Sequence, residues 1–259
     1  MPAELAPLLG IADGDVVAVV GAGGKHTLMA HLADELPAAG RPVVLTTTTN
    51  LHRGALETIP CVRMAEPGWQ EALAAALEAV RRAVVVDRAK GPGMEVGLEP
   101  TDDSFARLRA AARGATIVVK ADGARKRLLK APGRPDEPAW PQVADRTVVD
   151  RAVVVCALSA IGKPLDDAHV HRLEAVRALC ADDPVDESTI VAVATRGYAE
   201  EIPFSETTTA SLFLSHAVDD AALRHARAIA AGVGPLYESV VAADTIEGRF
   251  TLLTGPPSA

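Results

Sequence analysis

The sequence predicts an α/β protein, a mostly parallel central sheet with helices on both faces in three layers. Three observations carry that expectation. The first is a strand–helix–strand unit: an apolar run at Val16–Val20, helical spacing at Leu28, Met29, Leu32 and Leu36, and a second apolar run at Val43–Thr47. The second is the connection between strand and helix, Gly21-Ala22-Gly23-Gly24-Lys25-His26-Thr27. A glycine turn there aims several backbone N–H groups at one spot where a phosphate can sit, and Lys25 adds a mobile positive charge beside it. The third is the recurrence of apolar runs at 83–86, 115–119, 147–157 and 211–215, with helical patterns between most of them.

Taken in order, Leu5–Leu9 reads as a short leading helix and Gly10–Gly14 as the turn into the first strand. The helix over 27–36 stops at Gly40-Arg41-Pro42, because proline cannot continue it. Trp69–Arg82 is an alanine-rich helix, and the strand Ala83–Val86 runs into Asp87. After a loop at Gly91-Pro92-Gly93, the spacing predicts a helix over Asp103–Arg113, with Asp102 or Asp103 as N-cap, and then a buried strand at Ala115–Val119. Residues 147–157 read as one long strand or a strand pair, Gly162–Leu165 as a loop, and Ala168–Leu179 as a helix. A strand at Ser211–Ser215 leads into a helix through Ala231, and Tyr237–Ala242 and Arg249–Leu253 supply closing strands. With no internal repeat, residues 1–259 are expected to form a single domain with a core at 14–180, the remainder completing the sheet.

Composition narrows the function. The net charge of −8 opposes non-specific nucleic-acid binding, which needs a basic footprint, so any basic site has to be local. Cys61, Cys156 and Cys180 are odd in number and never form C-x-x-C, which fits small buried thiols better than a disulfide framework or a zinc site. No apolar run reaches the roughly 18 residues of a membrane span, and no charged-then-apolar leader is visible, so a soluble cytoplasmic protein is expected. Of 26 basic residues only Lys25, Lys90, Lys120, Lys126, Lys130 and Lys163 are lysines, and three of these fall within residues 120–130. Where arginine is the default surface cation, the few lysines mark places that want a compact ammonium.

The loop is not the usual G-x-x-x-x-G-K-[ST]. Val19 stands at the first glycine, and His26 stands where a Mg²⁺-binding hydroxyl belongs. A dinucleotide fingerprint fits worse, since it needs glycine or alanine at His26 and an acid after the next strand, where Thr46-Thr47-Thr48-Thr49-Asn50 stands. Those hydroxyls end a strand beside the loop, which makes Thr47 and Thr48 candidate ligand contacts as well as plausible strand filler. Asp122, at the end of the buried strand before Gly123, has the position of a carboxylate that holds Mg²⁺; a turn aspartate is the alternative. Residues 122–138 then pack Arg125, Lys126, Arg127, Lys130 and Arg134 into a proline-broken loop able to hold an anionic substrate. His169 and His171, two apart on the expected helix, point to different sides and suit capping or surface roles better than metal. Ser215-His216-Ala217-Val218-Asp219 is at best a decayed guanine-reading motif, so no base is assigned from it.

Gly21-Ala22-Gly23-Gly24-Lys25-x-Thr27-Leu28, the threonine run, Ala121-Asp122-Gly123-x-Arg125-x-Arg127-x-x-Lys130-Ala131-Pro132 and Glu137-Pro138-x-x-Pro141 together resemble the YqeC family of selenium-dependent hydroxylase accessory proteins, over about residues 14–180. The resemblance implies a P-loop NTPase-like fold and a role in maturing selenium-dependent molybdenum hydroxylases, with a molybdenum hydroxylase or a cofactor-maturation enzyme as partner. The chain departs from the family pattern at His26 (threonine in the family), Lys120 (glutamate) and Asp136 (histidine). The His171-Arg172 pair resembles one in the family.

The expected function is therefore a nucleotide-binding accessory protein, an NTPase or NTP-dependent transferase using ATP or GTP with Mg²⁺. Gly21, Ala22, Gly23, Gly24, Lys25, His26 and Thr27 would cradle phosphates, with Lys25, which neutralises the phosphate oxygens, and Asp122 as the catalytic residues. Thr27 and Asp122 would place the metal, and Arg125, Arg127 and Lys130 would contact the phosphate tail or an anionic partner. Two alternatives stand beside it: a carrier or insertion chaperone that binds without hydrolysis, and a kinase or ligase acting on a small acid.

Overall fold

The structure is a computed structural model that describes residues 4–133, 149–180, 183–200 and 208–255. Nine strands form its main sheet: β1 (Val16–Gly21), β2 (Val43–Thr47), β3 (Cys61–Arg63), β4 (Arg82–Val86), β5 (Thr116–Lys120), β6 (Arg151–Ala157), β7 (Thr209–Ser215), β8 (Ser239–Asp244) and β9 (Arg249–Thr254). Their order is β9-β8-β7-β6-β1-β5-β2-β4-β3. Every neighbouring pair is parallel except β8 and β9. β1, β2, β5 and β8 are buried along their whole length, as strands covered on both faces must be, whereas β9 is largely exposed at the edge.

Alternation along β1 divides the core in two. Val17 and Val19 face α1 (Leu5–Leu8) and α2 (Lys25–Ala38), packing with Leu28, Met29, Leu32 and Leu36. Val16, Ala18 and Val20 belong to the opposite core, with α3 (Trp69–Val80), α4 (Asp102–Ala112), α5 (Leu173–Leu179), α6 (Glu187–Ala192) and α7 (Asp220–Val233). The three-layer α/β expectation therefore holds. After β1 the chain goes out past the later β5 to β2, and subsequently returns to the other flank of β1 with β6. The carboxyl end of β1 is thus a point where the strand order reverses, the place where open α/β sheets leave a crevice for ligands.

Several local expectations change. Thr101, not Asp102 or Asp103, caps α4: its extended backbone lets its hydroxyl accept the Ser104 N–H at 3.3 Å. The helix expected from Ala168 begins only at Leu173. Asp166 Oδ1 accepts the N–H groups of Ala168 and His169 in a turn, Val170–His171 bridges to Leu129–Lys130, and Arg172 adopts a left-handed φ of 64°. That bridge was not legible in the apolar pattern, yet it fixes Lys130. Gly91 closes a short strand, Arg88–Gly91, which turns at Pro92-Gly93 into Met94–Val96 and pairs onward with Leu51–His52. Arg134, Asp136, Glu137, Pro138, Pro141 and the start of the strand expected at 147 lie outside the described residues. Among the described residues, no helix is long and apolar enough to cross a membrane, and Cys61, Cys156 and Cys180 are free thiols.

Candidate functional site

The glycine turn lies flat on the end of β6. Gly21 and Gly23 have φ of 94° and 75°, and a Cβ would sit 2.2 Å from Val155 O at the first and 2.4 Å from Ala157 Cβ at the second. Ala22 N–H donates to Val155 O at 2.9 Å, and the Ser215 hydroxyl donates to Gly23 O. These bonds hold the loop from behind. In front, α2 starts at Lys25 with no side-chain cap, and the N–H groups of Gly23, Gly24, Lys25, His26 and Thr27 meet no acceptor among the described residues. Such a row of unsatisfied donors is a place for an anion.

Beside it lies a buried cluster of charge. Asp122, just beyond β5, accepts the Gly21 N–H at 3.0 Å, pairs with Lys25 Nζ at 2.8 Å and accepts from Lys130 Nζ at 2.6 Å. Lys25 also donates to Gly21 O, so its ammonium folds back over the turn. Lys25 and Asp122, expected at a phosphate and at a metal, thus lie side by side as an ion pair. Burial works against the ionised carboxyl, but Lys25 and Lys130 together hold it below its ordinary range. Lys130 is lowered by burial against the pull of Asp122.

A third lysine joins them. Lys120, 6% exposed, ends β5 beside Val19 of β1 and Thr47 of β2. It donates only to neutral oxygens, Thr47 Oγ1 at 3.3 Å, Asn50 O at 3.2 Å and Thr49 Oγ1. Burial and then the charge of Lys25 lower its pKa to about 8. His26 is lowered to about 4, first by burial and then by Lys120, Lys25 and His52, so it is neutral at pH 7; its Nε2 is buried without a partner among the described residues. His171 is also lowered to about 4, by burial and then Lys130, Arg172 and Arg125. The field here is strongly positive in a chain whose net charge is −8.

Other residues singled out in the sequence fall into place around this cluster. Thr47 Oγ1 donates to Lys120 O at 3.0 Å and receives the Thr49 N–H at 3.1 Å, while Thr46 bonds Val85 O as strand filler. Thr48 is buried and its hydroxyl has no partner among the described residues. Thr27 is exposed on the first turn of α2. Arg125 is exposed with a left-handed φ of 47°, close enough to affect His171, and Arg127 is half-buried. His169 pairs with Asp166 at 2.8 Å, a local role as expected, and Asp219 caps α7 by accepting the Ala222 N–H.

Sequence reasoning missed two groups. Tyr198 is fully buried with an unpartnered hydroxyl; burial and then the charge of Asp122 push its pKa up. Ser159 Oγ and His216 Nδ1 lie 2.6 Å apart beyond β6 and β7. Tyr198 and Ser159 carry no motif, and the guanine-reading spacing considered at His216 gave no hint of its bond to Ser159. A cavity of about 620 Å³ between α3 and α4, lined by Trp69, Ala74, Arg107 and Ala111 among others, contains none of the expected site residues.

The donor set can be tested against Mg²⁺. Asp122 Oδ2 accepts from Lys130 and the Gly21 amide, its Oδ1 makes no hydrogen bond among the described residues but is faced by the Lys25 ammonium at 2.8 Å, His26 replaces the hydroxyl that follows the loop lysine, and Thr27, the other expected metal contact, is exposed. Among the described residues no group of three His, Cys, Asp or Glu side chains comes together. These donors, as placed, do not fit a resident divalent ion.

The family model described as YqeC protein matches residues 17–174, a span that holds the glycine turn, the threonine run, Lys120, Asp122 and Lys130. No curated protein matches the chain.

Proposed function

We propose, for a chain that belongs to the YqeC family, that it binds the polyphosphate of a nucleotide at the carboxyl ends of β1 and β5, as an accessory protein in maturing selenium-dependent molybdenum hydroxylases. The observation that carries the binding half is the meeting of three buried lysines with a row of unsatisfied N–H groups, around a single aspartate. The maturation half rests on the family resemblance alone.

In this reading a phosphate accepts from the amides of Gly23 to Thr27, and Lys25 turns from Gly21 O to meet it. Asp122 keeps Lys130 in place and holds Lys25 at the loop, so the charge is positioned before the ligand arrives. Turnover of ATP or GTP would then be helped by charge stabilisation at the transferred phosphoryl group. A second reading, a carrier that binds without hydrolysis, is favoured by one observation: no carboxylate in the described cluster is free to act as a base.

Titrating ATP and GTP into wild type and Lys25→Ala tests the binding half, with weaker binding by the variant expected; equal affinities would remove Lys25 from the site. Phosphate release by wild type then separates the two readings: turnover supports the NTPase, and clear binding without turnover supports the carrier.

A further inference from the structure

We propose that the site takes its polyanion without a divalent metal, Lys25, Lys120 and Lys130 together supplying the charge that Mg²⁺ supplies elsewhere. The inference rests on the phosphate-binding reading above and sharpens it to a class of ligand: a di- or triphosphate bound as the free anion.

Lys25, Lys120 and Lys130 are 6%, 6% and 1% exposed, and among the described residues the carboxylate paired with any of them is Asp122, shared by two. Among the described residues, three ammonium groups against one carboxylate leave two positive charges without a counter-ion in a buried place. Buried charges ordinarily come paired, because leaving one unpaired is costly. An excess of two offsets part of the negative charge of a di- or triphosphate, and it equals the charge that a magnesium ion brings to a nucleotide.

Geometry then decides against sharing the place with a metal. A cation arriving at Asp122 must displace Lys25 or Lys130, each within 2.8 Å of it, and must approach a net positive field to do so. His26 occupies the position of the hydroxyl that would complete the metal's shell. Lys120 is tied down by Thr47, Thr49 and Asn50, three neutral oxygens that hold the ammonium without cancelling its charge. Its stem lies in register with Val19, two residues before the glycine turn. The cluster is thus preformed to receive an anion, with the amides of Gly23 to Thr27 as the second wall.

Calorimetric titration of inorganic pyrophosphate and of ATP, in EDTA and in excess Mg²⁺ at matched ionic strength, tests this on the wild-type chain. The expected result is binding in EDTA as tight as, or tighter than, in Mg²⁺, because the metal competes for the free ligand. Lys120→Met, which keeps the stem and removes the charge, is expected to weaken binding in EDTA by about tenfold or more, the loss of one buried positive charge acting on the anion through space. Binding that appears only with Mg²⁺ overturns the inference and leaves the phosphate reading intact; no binding under either condition overturns the reading itself. Equal affinity of Lys120→Met and wild type in EDTA also overturns the inference.

Discussion

Two charge clusters in this molecule, one partly exposed and one buried, make an instructive pair. Near the sheet edge, Arg63 clasps Glu95 with two bonds, Nη2–Oε1 at 2.8 Å and Nε–Oε2 at 3.1 Å, and reaches Glu66 at 3.3 Å. That cluster has no unmatched cation, and its guanidinium remains 29% exposed. At the carboxyl end of β1, by contrast, three nearly inaccessible ammonium groups lie together, two of them paired with Asp122 and the third, Lys120, held by neutral oxygens alone. The first arrangement is complete by itself and fastens Cys61–Arg63 to the small sheet. The second is left with excess charge that only something outside the described residues can neutralise. Imbalance of buried charge, rather than its mere presence, is what distinguishes a site from a strut.

The largest effect should come from removing the shared carboxylate. Asp122→Asn leaves Lys25 and Lys130 facing each other without a counter-charge and should cost about 3–5 kcal/mol in urea unfolding, as for other broken buried pairs. Glu95→Gln should cost only about 1–2 kcal/mol, because Arg63 keeps water and Glu66. Equal losses would erase the contrast between the two clusters.

Next comes pH. Lys120 has a pKa of about 8 in the folded state against 10.5 in the unfolded chain, depressed first by burial and then by Lys25. Between those values the unfolded chain holds one proton more than the folded one, so stability rises with pH across that window and the penalty of the charge is fully present below pH 8. At about 1.4 kcal/mol per unit, the gain is on the order of 3 kcal/mol, to be read as the difference between wild type and Lys120→Met in unfolding experiments from pH 7 to 10. Pyrophosphate affinity should move the other way and fall as pH passes 8.

A smaller effect concerns Lys120 at fixed pH. At pH 7 without ligand, Lys120→Met should raise stability by about 1 kcal/mol, or about 2–4 °C in Tm by calorimetry, since it lifts an uncompensated buried charge. A clear drop in Tm would mean that Lys120 is structural, like Arg63. The smallest effect belongs to Arg125→Ala. The residue is exposed, so stability should change by less than about 0.5 kcal/mol, and any weakening of ATP binding should fade as salt rises from 0.05 to about 0.5 M.

Much of the frame was legible because it follows from periodicity. The buried runs at Val16–Val20, Val43–Thr47 and Ala115–Val119 became adjacent parallel strands, and the glycine turn between strand and helix stands where it was expected. Lys25 and Asp122, 97 residues apart in the chain, meet because β1 and β5 are register neighbours that end together. What stayed illegible depends on contacts with no sequence period. Lys130 reaches the site through a two-residue bridge to Val170–His171, a segment whose apolar spacing reads as helix. Lys120 was visible as a charge just before Ala121-Asp122-Gly123, but its neutral oxygen cage depends on how the threonine run turns after β2. Tyr198 and Ser159 come from segments without motif, and the pairing of Ser159 with His216 is placed only by the finished fold.

A crystal structure grown with pyrophosphate in EDTA tests the central claim most directly. The expected map has a phosphate group accepting from the amides of Gly23 to Thr27, with Lys25 Nζ turned away from Gly21 O toward it and Lys120 and Lys130 still in their present places. A map in which pyrophosphate sits elsewhere, while Lys25 still rests on the Gly21 carbonyl, would contradict it.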